Sequence, residues 1–220
     1  MNFELSEEQK MIQQSVERFV QENYDLTNRI KISSEDPGFS NEYWSSMAEL
    51  GWLGLAFGEE DGGFGGNQID TLVLMEQFGK GLVLEPFLAN IVLGGGAIKR
   101  GASEALKQSI IPSLIEGNLQ VTLAYAEEQS RFDLEDVATS AREEDKDFLI
   151  NGRKSMVLNA ESADKIVVVA RTSGSQIDEE GISLFLVDSN SDGVERENFP
   201  TVDGLRASEI SFKDVRVSSE

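Results

Sequence analysis

The sequence contains no cysteine and no histidine. Disulfides, thiolate nucleophiles, Ser-His-Asp triads and zinc sites built on nitrogen or sulfur are therefore excluded. Acid–base chemistry falls to carboxylates, Lys and Tyr, or to a bound cofactor that performs the difficult step itself. Positive charge is scarce: 19 Lys and Arg stand against 40 Asp and Glu, a formal net charge of −21. A field of that sign opposes approach to phosphate backbones and anionic lipid, so neither nucleic acid nor a membrane is an expected partner. An anionic ligand needs a local cluster of bases or main-chain N–H donors instead. Long apolar runs are missing too, and nothing approaches the roughly 18 to 20 residues that span a bilayer. The opening MNFELSEEQK places acids where a secretion signal has bases followed by an apolar stretch. The cytoplasm is the expected location.

What is there is a core-forming chain of 220 residues, 40% hydrophobic. Ser6-Glu7-Glu8-Gln9 has the pattern of a helix capping box, and Ile12, Val16, Phe19 and Val20 follow on one helical face. A helix over about residues 7–22 follows from that spacing. Ser40 caps a second helix through Trp44, Met47 and Leu50 to a Gly51 stop, and Asn67 starts a third carrying Leu72, Val73, Glu76 and Phe78. Pro86 opens a fourth that reaches Lys99 and Arg100, with Gly101 as its left-handed end. Ser103 opens a further segment that Pro112 interrupts or kinks and Gly117 closes. Residues 1–118 are thus expected to form a helical domain.

Beyond Asn118 the hydrophobic period changes from near 3.6 to 2, the sign of a second domain over residues 119–220. Residues 121–126, 137–142, 148–158, 165–171, 182–187, 194–199 and 210–217 read as strands, rich in β-branched and aromatic side chains. Asn151-Gly152 has the composition of a two-residue hairpin turn. Short, closely spaced strands argue for a small antiparallel barrel or sandwich, which makes the fold class α+β. The charged stretches at 143–147 and 176–180 read as solvated turns between strands.

Few segments offer chemistry. The glycine-rich stretch at 57–66 carries three consecutive acids, Glu59, Glu60 and Asp61, which suits a tight connection better than a phosphate cradle. Residues 123–133 leave a strand for an irregular stretch, the usual place for a ligand to meet a β scaffold. Read alone, Tyr125 and Phe132 there cover the end of a barrel as readily as they meet a ligand. Residues 155–160 end an apolar strand with Asn159. Arg153, Lys154 and Arg206 are among the few bases of the β region, each either solvated or set against a phosphate.

The order of these segments resembles the acyl-CoA dehydrogenase flavoprotein family over essentially the whole chain. The similarity rests on Leu5-Ser6-Glu7-Glu8-Gln9, Leu50-Gly51-Trp52-Leu53-Gly54-Leu55 and the run from Gly58 to Gly65. It continues in the Ile111-Pro112-Ser113-Leu114-Ile115-Glu116-Gly117 connection, the run from Phe148 to Lys154, and the run from Gly204 to Val217. The resemblance implies a helical domain and a β-barrel domain followed, in the family, by a second helical domain that holds the catalytic base. It implies FAD as cofactor, acyl-CoA as substrate, α,β-dehydrogenation as the reaction, an electron-transferring flavoprotein as acceptor, and homo- or hetero-oligomers. Leu123, Tyr125, Ala126, Phe132, Met156 and Leu158 fall at the positions that meet the flavin; no residue here inherits the base, and the chain alone is expected to be inactive. Ala126-Glu127-Glu128-Gln129 stands where many relatives have Thr-Glu-Pro-Gly, and Met156-Val157-Leu158 where they have an aromatic followed by Thr. Hydroxyl groups that would face the flavin edge are thereby lost. Such departures also resemble divergent members, including non-catalytic subunits of heteromeric dehydrogenases; a flavin-dependent oxidase or monooxygenase on the same scaffold is a further alternative.

Overall fold

The computed structural model describes residues 4–218, which divide into two compact units. One runs up to Glu85 and includes Lys107–Asn118; the other takes in Pro86–Leu106 and the chain from Leu119 onward.

The first unit is helical. Helix α1 (Glu7–Asn23) begins at the expected capping box, with Gln9 N donating to Ser6 Oγ at 3.1 Å and Ser6 N donating to Gln9 Oε1 at 3.0 Å. Helix α2 (Leu26–Ser34) has no counterpart in the sequence reading, because its Thr, Asn and Ile residues are weak helix formers. It is started by Asp25, whose side chain accepts from Asn28 N at 2.9 Å. Helix α3 (Asn41–Glu49) is capped by Ser40 and stopped at Gly51, where φ is +79°, and α4 (Gln68–Gly81) starts at Asn67. Trp52 stands edge-on to Phe19 at 5.3 Å and to Phe78 at 5.8 Å, within a core that holds Val16, Met47, Leu53, Val73 and Leu74. The glycine-rich segment is a tight connection: Gly63, Gly65 and Gly66 donate their N–H groups to the carbonyls of Gly58, Phe57 and Leu55, so these amides are not open to a phosphate. The helix Glu104–Ile115, most of which belongs to this unit, carries Pro112 in its interior without a break, giving up one helical hydrogen bond. Gly117 closes the segment with φ of +74°.

Within the second unit, residues Leu88–Gly95 form π-helical turns that run on into α5 (Gly96–Gly101), ahead of α6 (Glu104–Ile115). Gly101 is not a left-handed terminus; the helix ends at Ala102, which is extended with φ −82° and ψ 155°. Seven strands follow: β1 (Val121–Ala124), β2 (Ser140–Glu144), β3 (Asp147–Leu158), β4 (Lys165–Arg171), β5 (Ile182–Asp188), β6 (Val194–Pro200) and β7 (Arg206–Ser218). They make one curled sheet ordered β1-β4-β2-β3-β7-β6, with β5 on β4. Most neighbours are antiparallel, but the sheet is mixed, since β1 and β2 both run parallel to β4. Val121 to Ala124 pair with Lys165 to Val168, and Ser140 then pairs with Arg171. In effect β1 and β2 are one line of chain along β4, interrupted where residues 125–139 leave the sheet and return. Ile150, Ile166, Val168, Phe185, Ile210, Phe212 and Val215 build the core on the concave side.

Asn151-Gly152 does not turn the chain. The β2–β3 hairpin turns at Asp145-Lys146, inside the charged stretch, with Glu144 paired to Asp147 and Asp145 at φ +59°. Asn151 lies mid-strand, where its amide group donates to Asp214 Oδ1 at 2.9 Å and accepts from Asp214 N at 3.0 Å. That pair brackets a bulge at which Lys213 and Asp214 of β7 lie between the pairs Gly152↔Phe212 and Ile150↔Val215. Tertiary pairing thus uses the same two residues that an isolated sequence would put in a hairpin loop. No helix among the described residues is long and apolar enough to cross a membrane.

Candidate functional site

The break between β1 and β2 creates a loop, and the loop is anchored by a carboxylate. Glu127 is buried at 5% exposure. Its Oε1 accepts from Thr139 N at 3.0 Å and from Lys154 Nζ at 2.6 Å, while Oε2 accepts from Ala138 N at 2.9 Å and Gln129 Nε2 at 2.8 Å. One side chain near the start of the loop thereby binds the main chain at its end. Burial pushes the Glu127 carboxyl up, but the hydrogen bonds from Lys154, Gln129 and Thr139 outweigh it and hold the group at about 2. Burial also pulls the Lys154 ammonium below the ordinary lysine range, against the opposing attraction of Glu127. Lys154 has no exposed surface, and its one other acceptor among the described residues is Tyr125 O at 3.3 Å.

Arg171, the last residue of β4, holds the far side of the same loop. Its guanidinium donates to the carbonyls of Glu135 at 2.8 Å and Val137 at 3.2 Å, and to those of Gln176, Asp178 and Glu180 at 2.9 Å each. The loop is therefore fixed by two buried charged groups.

Residues Ser155 and Met156 of β3 form a second irregularity. Lys154 pairs with Ile210 and Val157 with Ser208, so two residues on β3 oppose the single residue Glu209 on β7. Met156 adopts φ +52° there. Ser155 N donates to Ala126 O at 2.9 Å, which joins this bulge directly to the loop after β1. Thr122 Oγ1 donates to Leu158 O at 2.6 Å and draws the end of β3 against β1.

These contacts bring together five of the six residues read from the sequence. Val121 and Ala124 are buried, Ala124 in the core of the sheet, whereas Leu123 is half-buried and Tyr125 is 43% exposed. On β3, Val157 is buried, Leu158 half-buried and Met156 50% exposed. Ala126, half-buried, sits at the junction through its carbonyl. Phe132 lies further along the loop and is 100% exposed. Leu123, Tyr125, Met156 and Leu158 thus offer an apolar face, with one aromatic ring, at a rigid strand end.

The Ser130 and Ser155 hydroxyl groups beside this face are engaged elsewhere. Ser130 Oγ accepts from Glu127 N at 3.0 Å and donates to Glu127 O at 2.9 Å, and Ser155 Oγ donates to Glu209 Oε1 at 2.7 Å. Arg153, Lys154 and Arg206 are not gathered into an anion site: Lys154 is buried against Glu127, Arg153 lies 3.6 Å from Glu209, and Arg206 3.8 Å from Glu161. The sequence did not point to Glu127, Arg171 or Glu209 as parts of the site, and it offered Lys154 only as a base either solvated or set against a phosphate.

Two family models together match most of the chain. A family model described as acyl-CoA dehydrogenase, N-terminal domain, matches residues 6–118, and one described as acyl-CoA dehydrogenase, middle domain, matches residues 122–215. The caffeyl-CoA reductase-Etf complex subunit CarC of Acetobacterium woodii is 30% identical over 98% of this chain, which covers 58% of that protein. Mitochondrial isovaleryl-CoA dehydrogenase of Pongo abelii is 28% identical over 97% of this chain and 52% of its own length. The solved ChsE4-ChsE5 complex from Mycobacterium tuberculosis shares the fold at a TM-score of 0.88, with 22% identity, over 100% of this chain and 57% of that one. The chain therefore spans 58% and 52% of the two curated relatives' lengths.

Proposed function

Because this chain belongs to the acyl-CoA dehydrogenase family, by matches over residues 6–118 and 122–215, we propose that its β unit binds the isoalloxazine of FAD on the face made by Leu123, Tyr125, Ala126, Met156 and Leu158. The reaction proposed for the protein to which this face belongs is α,β-dehydrogenation of an acyl-CoA thioester. FAD supplies the hydride acceptor for that chemistry when bound. The observation that carries the reading is the joint between Ser155 N and Ala126 O at 2.9 Å, which sets the β3 bulge beside the loop after β1.

The chain's own residues then have distinct tasks. Met156, Leu158 and Leu123 cover one side of the ring and exclude water from it. Tyr125 adds aromatic surface, and the loop held by Glu127 and Arg171 keeps its main-chain donors in place for the ring edge. Phe132, fully exposed on the loop, is proposed to close over the bound cofactor. Two carboxylates beside this face are engaged, Glu127 with Lys154 and Glu209 with Ser155. Neither is free to abstract a substrate proton, so the 220-residue chain alone is proposed not to turn over acyl-CoA. An electron-transferring flavoprotein is the proposed acceptor, in keeping with the Etf complex to which the relative CarC belongs.

A second reading is favoured by the engaged hydroxyl groups: the chain is a non-catalytic subunit beside a homologous catalytic one. Titration of the purified chain with FAD, followed by flavin fluorescence, tests the first. Saturable quenching that Met156→Glu weakens by about tenfold supports the face; a titration curve identical for wild type and Met156→Glu refutes it. A homologous chain that co-purifies with all of the flavin favours the second reading.

A further inference from the structure

The side chains of β3 do not keep one alternation from end to end. Ile150 and Lys154 are buried and share a parity, with Arg153 exposed between Gly152 and Lys154. Continued without a break, that pattern would send Met156 and Leu158 toward the core and Val157 outward. The structure shows the reverse, with Val157 at 2% exposure and Met156 at 50%. The bulge at Ser155 and Met156 inverts the alternation, and the apolar face exists because of it.

What holds the bulge is the residue it opposes. Glu209 Oε1 accepts from Ser155 Oγ at 2.7 Å and from Met156 N at 3.3 Å. Its other oxygen lies 3.6 Å from Arg153 Nε. An extra residue in a ladder leaves N–H groups without a partner strand, and a left-handed φ is unfavourable for a side chain as long as methionine. Glu209 supplies the missing acceptor at the residue that carries the strain, φ +52°. Arg153 fixes the carboxylate from the far side, so its position in the sequence next to the buried Lys154 has a use that is not phosphate binding.

We propose that Glu209 is a positioning residue for the cofactor face: by capping the Ser155-Met156 bulge it sets the parity of β3 and turns Met156 and Leu158 outward. The proposal deepens the flavin reading and rests on it for the identity of the ligand, but the claim about the bulge stands on the strand geometry. It separates Glu209 from an ordinary surface acid on β7, because the consequence of losing it is a change in which residues the strand displays.

A thermal cycle with flavin titration decides the matter. Wild type, Glu209→Ala, Met156→Gly and the double variant are melted as the whole 220-residue chain, and FAD is titrated into wild type, Glu209→Ala and Glu209→Gln. Glycine tolerates the left-handed conformation without a cap. Glu209→Ala is therefore expected to lower the Tm by about 3 °C in the Met156 background and clearly less in the Met156→Gly background. FAD affinity is expected to fall about tenfold in Glu209→Ala, and Glu209→Gln, which keeps the acceptor oxygen, restores most of it. Equal Tm losses in the two backgrounds overturn the role in the bulge. A Glu209→Ala chain that binds FAD like wild type overturns the positioning role even if its Tm falls. A wild-type chain that takes up no FAD sinks the flavin reading instead, and the melting cycle alone then decides whether Glu209 governs the bulge.

Discussion

Lys154 and Glu127 form an ion pair with almost no water around it, the lysine at 0% and the glutamate at 3% side-chain exposure. In such a place the attraction between the charges must offset the desolvation of both, and the four hydrogen bonds to the carboxylate are what make the balance favourable. Lys154→Met leaves the carboxylate buried without its counter-charge and is expected to cost about 3 to 5 kcal/mol. Glu127→Leu with Lys154→Met removes both charges and is expected to recover part of that loss in urea unfolding. The same carboxylate gives an acid signature. Its folded value of about 2 lies below the ordinary 4.5, so its contribution is present above the unfolded value. It is lost as the pH falls from 4.5 toward 2, because the unfolded chain takes the proton first. The difference in stability between wild type and Glu127→Gln should therefore shrink across that window; a constant difference would contradict the assignment. The sequence offered Lys154 as a solvated or phosphate-facing base and gave no sign of its pairing with Glu127. Glu127 has the same local look as its exposed neighbour Glu128, and only the fold, across 27 residues, brings it to Lys154. A signal was available in parity, since Lys154 lies at the inward register set by Ile150. Tyr125 and Met156 were named through the order of the family's motifs, which requires no knowledge of a distant partner.

Strands were easier to read than the connections between them. All seven strand segments occur near their expected positions because a period of two survives wherever one face of a sheet is buried. Helix α2 went unread because its start depends on one Asp25 side chain and its residues lack a strong apolar stripe. Asn151-Gly152 misled for a physical reason: local turn chemistry and a bulge contact favour the same residues, and pairing with β7 decides between them. Gly152 is required there. Its φ is +150°, and a Cβ would lie 2.6 Å from Thr139 Cα. Gly152→Ala is expected to destabilise the chain by about 2 kcal/mol, by forcing the end of the 125–139 loop away from β3. Faster proteolysis within that loop, at unchanged helical signal, is the measurement that checks it. An alanine chain cut at the wild-type rate would mean that Thr139 moves aside freely.

At the scale of the molecule the governing fact is the net charge of −21, set against a proposed cofactor that carries a pyrophosphate. Three of the bases near the site do not correct this locally, since each lies beside a carboxylate: Lys154 with Glu127, Arg153 with Glu209 and Arg206 with Glu161. Repulsion of an anionic ligand by a diffuse negative field is screened by salt. Raising the ionic strength from about 0.01 M to about 0.1 M shortens the screening length from about 30 Å to about 10 Å. Affinity of the chain for FAD should therefore rise over that range, which is opposite to the behaviour of a site where bases draw in the phosphates. Neutral lumiflavin, which presents the same ring system without the pyrophosphate, should bind with little dependence on salt. The pair of titrations separates ring recognition from charge: a parallel rise for both ligands would point to salting-out of apolar surface. FAD binding that weakens with salt would mean that a cluster of bases elsewhere on the chain reaches the phosphates, and that the apolar face at Met156 does not act alone.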